Sequence, residues 1–153
     1  MMMPVLIALH LLAAVVWVGG MFFAYLCLRP VAATQLELSQ RLPLWSETFQ
    51  LFFVWVWVAV ILLIVTGHSM IAQLGGMASV GLHVHLMLAS GYLMIGLFMH
   101  VFFVPYKRLK RTTAEHNWPE ASRHLNQIRR IVAINLILGI LIIAIAAAGR
   151  YGF

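Results

Sequence analysis

Residues 48–106 read TFQLFFVWVWVAVILLIVTGHSMIAQLGGMASVGLHVHLMLASGYLMIGLFMHVFFVPY, without one Asp, Glu, Lys or Arg. A hydrocarbon crossing needs about 20 apolar residues in a helix that rises about 1.5 Å per residue. The stretch holds two crossings, and Gly75-Gly76 is the natural turn between them. Outward from it, residues 1–28 and 131–149 are equally free of charge and fit one crossing each. The pattern predicts an all-α fold, an integral membrane four-helix transmembrane bundle. It forms a single domain over 1–153, with spans at about 4–28, 48–70, 82–104 and 131–149. With 63% hydrophobic and 9% charged residues, against about 25% charged in a soluble domain, too little polar surface remains to cover a soluble core.

The net charge of +6 is unevenly placed. Segment 105–130 carries Lys107, Arg108, Lys110, Arg111, Arg123, Arg129 and Arg130 against Glu115 and Glu120, and segment 29–47 adds Arg29 and Arg41. The C-terminus has Arg150 alone. Such loops stay in the cytoplasm, which predicts a multi-pass protein of the inner (cytoplasmic) membrane. Both termini and the 71–81 turn then lie outside. The partner of this charge is the lipid bilayer, with the basic loop at anionic headgroups, and not nucleic acid. No Lys or Arg precedes the first apolar run, so that run reads as a retained span rather than a signal peptide. The single cysteine, Cys27, excludes an internal disulfide and a Cys-x-x-Cys-His haem attachment.

Pro30 and Pro43 bracket a short polar connection with one helical turn around Leu36 to Gln40, and Ser46 is the expected N-cap of the second span. Asn117-Trp118-Pro119-Glu120 reads as a helix start from which the fourth helix runs unbroken into the membrane. Small residues recur in span one (Ala13, Ala14, Gly20, Ala24), span three (Ala89, Gly96) and span four (Gly139, Ala146). They suit close helix packing or a flat cofactor between helices.

Of seven histidines, His116 and His124 fall in the basic loop and are expected to be solvated. The others fall in or beside spans, where ionisable groups are costly and face the interior or a cavity. Counted from Arg29, Glu47 and Lys107, His10 lies about 28 Å up, His68 about 32 Å, His85 about 33 Å and His83 about 36 Å. His100 lies only about 10 Å up. Three helices therefore bring histidines to one layer near the outer face. His83 and His85 are about 200° apart on their helix and cannot share a centre. His85 shares a stripe with Ala89, Tyr92 and Gly96, and is the expected inward ligand; His10 shares its face with Ala13, Ala14 and Trp17.

A b-type haem between helices needs axial imidazoles, close packing and apolar walls. His10 and His85 are the expected axial ligands, with Trp17 and Tyr92 at the pocket and Arg150 at a propionate. His68 and His83 are the alternative ligands. One haem is expected near the outer face, since His100 has no partner at its depth. Copper is the rival, on the same histidines with Met70, Met77 or Met87, because imidazole and thioether both suit it. No carboxylate lies within a span to act as general base, and no Gly-rich phosphate loop occurs.

The stretch Ala8-Leu9-His10-Leu11-Leu12-Ala13-Ala14-Val15-Val16-Trp17-Val18-Gly19-Gly20 resembles the opening helix of the copper-resistance protein D (CopD) superfamily, which includes the HemJ-type protoporphyrinogen oxidases. Leu82-His83-Val84-His85 is similar to the Leu-His-x-Lys start of the third HemJ-type span, and Arg129 through Asn135 to the start of the fourth. The resemblance implies haem b at the positions of His10 and His85, the second a histidine where that type has lysine. Leu136 stands where that type has Glu, and the Pro that follows shortly after is missing. CopD members are linked to copper uptake.

The sequence thus reads as a bis-histidine haem b protein in electron transfer or redox chemistry near the outer face, a membrane haem oxidoreductase of cytochrome b character. A quinone or another membrane redox partner is its electron source, and a homodimer is compatible with it. The alternatives are a CopD-type copper-binding or copper-transport protein, or a HemJ-like protoporphyrinogen oxidase.

Overall fold

The computed structural model describes the backbone of residues 2–152 and the side chains of 2–149. Helix α1 (Met2–Phe22) widens into a π turn (Phe23–Leu28) and continues as α2 (Arg29–Gln35). α3 spans Leu38–Gln73; α4 (Leu82–Val101) widens likewise (Phe102–Tyr106) and continues as α5 (Lys107–Ala114). α6 spans Trp118–Gly152. Four of these continuous rods are long and apolar enough to cross a membrane, so the protein is an all-α four-helix bundle in contact with lipid.

Pro30 follows the first π turn and Pro105 lies inside the second. Pro30 and Pro105 lack an N–H, and in a regular α-helix their rings would crowd the carbonyls of Leu26 and Val101, four residues back. Widening the turn removes the clash without ending the helix. Segments 29–35 and 105–114, expected as connections, are helical for this reason. α3 also starts earlier than Ser46 suggested. Glu37 is its extended N-cap, Pro43 lies inside the helix, and Ser46 is buried in the core. Pro43 forfeits one backbone bond, to Ser39, which a helix of this length tolerates.

The predicted turn and the last helix start are as the sequence suggested. Gly75 and Gly76 have φ of 96° and 90°, the left-handed region open to glycine. Asn117 accepts a hydrogen bond from the Glu120 N–H at the start of α6.

α1 packs chiefly on α3, and α4 on α6. An aromatic block fills the basic half: Phe53 stacks on Phe49 (5.2 Å, 7°) and meets Tyr106 and Phe98 edge-on at 4.9 and 5.5 Å. Each such pair adds about 0.5–1.5 kcal/mol beyond its burial. Trp17 belongs to this block, edge-on to Phe98 at 6.1 Å. Beside it Asn135, 4% exposed, donates to the Met94 carbonyl. Its Oδ1 lacks a protein partner, and the residue lines a cavity of about 20 Å³, room for one water. Large apolar side chains such as Leu51, Val54, Leu86 and Ile137 face outward, as lipid contact requires.

Candidate functional site

The end of the bundle opposite the basic segments carries His10 in α1, His68 in α3, and His83 and His85 in the first turn of α4. All four acids of the chain (Glu37, Glu47, Glu115, Glu120) belong to the other end. Three contacts at the histidine end cross between helices. His10 Nδ1 lies 2.8 Å from Thr66 Oγ1, joining α1 to α3. Tyr92 Oη lies 3.1 Å from His68 Nε2, joining α4 to α3. His83 packs so closely on α6 that a Cβ at Gly149 would meet the His83 Cβ at 2.7 Å.

Proton positions follow from the partners. Thr66 donates its one hydroxyl proton to the Leu62 carbonyl, so it can only accept from His10. The neutral His10 ring therefore carries its proton on Nδ1 and keeps the lone pair on Nε2. His68 Nδ1 and His85 Nδ1 face the carbonyls of Ile64 and Gly81 at 2.9 and 3.1 Å, which accept only. Their lone pairs are likewise on Nε2; that of His68 accepts from Tyr92, and that of His85 is exposed at the bundle surface.

The expectation that His85 faces inward is corrected. His85, Ala89, Tyr92 and Gly96 form the outward face of α4, whereas His83 and Met87 are half-buried and Met94 is buried. The small residues that make room belong to the partner helix: a Cβ at Gly139 would meet Val18 Cγ2 at 2.8 Å and Met94 Cε at 3.2 Å. Nothing lies within 4 Å of the Cβ position of Gly96. The four histidines share one end of the bundle but not one centre: His10 faces Thr66, His68 faces Tyr92, His83 packs on α6 and His85 is exposed. Among the described residues, no three His, Cys, Asp or Glu side chains group to hold one metal ion. Trp17 is in the aromatic core, Tyr92 is on the surface, and the Arg150 side chain lies outside the described residues. Met70 and Met87 are half-buried and Met77 is exposed.

Sequence reasoning missed Thr66. Counted from Glu47, it lies about 28 Å up, level with His10, so the same measure identifies it. His124, expected in solvent, is on α6 with only 12% of its side chain exposed. The segment that carries it is helical and packs on α5.

The family model described as Copper resistance protein D matches residues 46–148. The chain belongs to the copper resistance protein D family. The match runs from within α3 through most of α6, and covers Thr66, His68, His83 and His85, while His10 precedes it. No curated protein and no solved structure matches this family member.

Proposed function

We propose that this CopD-family protein handles copper at the histidine end of its bundle, as cargo rather than as a buried resident ion. The observation that carries the reading is the pairing of His10 with Thr66, which fixes the proton on Nδ1 and leaves Nε2 as a ligand. Imidazole and thioether suit copper, and oxygen-rich sites suit Mg²⁺ and Ca²⁺. The histidine end has His10, His68, His83, His85, Met70, Met77 and Met87 and no Asp or Glu, so its donor set discriminates in that direction. Donors spread over several seams suit an ion that is picked up and passed on. On the charge asymmetry, the basic end faces the cytoplasm and copper is met from the outer face.

A bis-histidine haem b would draw on the same imidazoles. The fit is poorer, because His85 is turned outward and Gly139 and Gly149 are already occupied by Val18, Met94 and His83. Protoporphyrinogen oxidation of the HemJ type inherits this difficulty.

Purified protein in nanodiscs, titrated with Cu(I) against a chromophoric chelator, tests the proposal. Stoichiometric binding that His10→Ala weakens while the far-ultraviolet spectrum stays helical is the expected result. Absence of competition for Cu(I), or a Soret band in the protein as purified, overturns it, the second in favour of haem.

A further inference from the structure

At the basic end, α5 and the first turns of α6 form an elbow around the turn Glu115–Asn117. A groove of about 460 Å³ runs between them, lined by Arg108, Arg111, Glu120, Arg123, His124 and Gln127. Three guanidiniums thus face one carboxylate. The ion pairs that involve them are long and exposed. Arg111 lies 3.8 Å from Glu115 and Arg123 lies 3.7 Å from Glu120, with 71% and 79% of the two arginine side chains exposed. Each guanidinium has five N–H donors in a planar fork, and these contacts engage few of them. At the floor, the Nδ1 of the largely buried His124 has no protein partner.

The groove is continuous with an apolar surface. Arg108 and Arg111 also line an adjoining cleft with Phe103, Val104 and Lys107. Phe103 is exposed on the hydrocarbon side, and Lys107 Nζ sits 5.2 Å over its ring. A ligand that fills both needs an anion at one end and an apolar chain at the other. Arginine forks match phosphate oxygens bidentately.

We propose that this elbow is a binding site for one anionic phospholipid, its phosphate held by Arg108, Arg111 and Arg123 and an acyl chain laid along Phe103. Basic pockets at the ends of membrane helices are suited to such headgroups. The apolar cleft argues for a lipid over a free phosphate, which would leave Phe103 and Val104 without a role.

Native mass spectrometry of the full chain, released from nanodiscs of phosphatidylcholine containing phosphatidylglycerol, tests this. One retained phosphatidylglycerol is expected for the wild type. The variant R108Q/R111Q/R123Q should lose it by about a hundredfold, about fivefold for each arginine. A charge-matched variant away from the groove, R29Q/R41Q/K110Q, should retain it. The exposed double variant R111Q/R123Q, with a loss of about 25-fold, serves if the triple variant does not fold. Equal loss in the groove variant and the charge-matched variant means diffuse attraction and overturns the site. Displacement of the lipid by millimolar inorganic phosphate, with phosphate then retained in the groove, overturns the lipid assignment.

Discussion

His10 and Thr66 share a hydrogen bond of 2.8 Å across the α1–α3 seam, and the Thr66 proton is already committed to Leu62. One threonine thereby ties two helices and sets the tautomer of the histidine. An imidazole whose Nδ1–H is held by an oxygen, with Nε2 open, is how ligating histidines are usually oriented.

Thr66→Val keeps the shape and removes the acceptor. It should weaken Cu(I) binding by about 10- to 100-fold, the usual effect of losing such a partner. Stability should fall by about 1–3 kcal/mol, from the unmet Nδ1–H. Thr66→Ser should behave as wild type in the chelator titration. Equal binding by the valine and serine variants would show that the tautomer is irrelevant to the site.

Glycines divide by what their missing Cβ would meet. Gly139→Ala drives a methyl into Val18 and Met94, and Gly149→Ala drives one into His83. Overpacking of this kind costs about 1–3 kcal/mol. Gly91 and Gly96 meet nothing within 4 Å, so alanine there should be neutral or stabilising by up to about 1 kcal/mol. Thermal melting in one detergent checks all four. A destabilised Gly96→Ala with an unaffected Gly139→Ala would mean that the other face of α4 packs on α6.

Charge-free stretches made the four helices legible, because hydrophobic length is the one requirement of a crossing. Helix ends were less so. Prolines that would break a soluble helix at residues 30, 43 and 105 are absorbed by π turns or by the helix interior. The end of the bundle to which the histidines of α1, α3 and α4 belong was legible too, since a fixed rise per residue orders positions along each helix. Azimuth was not. The sequence separates His83 from His85 by phase, but which of the two faces inward depends on α6, where Gly139 and Gly149 make the room. A small, polar stripe on α4 looked like an interior face and is the exterior one.

If the basic end is cytoplasmic, a cysteine at Ser79 in the glycine turn and one at Lys110 on α5 should label from opposite sides. In a Cys27→Ser background, an impermeant maleimide applied to intact cells should modify Ser79→Cys at once. Lys110→Cys should react only after permeabilisation. The reverse order would invert the topology and place the copper donors inside the cell.

His124 gives the elbow a dependence on pH whose sign is fixed by its surroundings. Burial holds the ring below its ordinary value of 6.5; Arg108, Arg123 and Arg111 push the same way, and only Glu120 opposes them. In the unfolded chain the ring returns to its ordinary value, so between the two values the unfolded state binds the extra proton. The contribution to stability is therefore complete above about pH 6.5 and is lost as pH falls through the lower, folded value. Hydrogen exchange in α5 and the first turns of α6, corrected for the intrinsic pH dependence of exchange, should show protection falling between pH 7.5 and 5 (about the histidine range). His124→Gln keeps a polar side chain that cannot charge, and should flatten the profile of the elbow. A profile that stays as steep in His124→Gln would show that His124 does not set it.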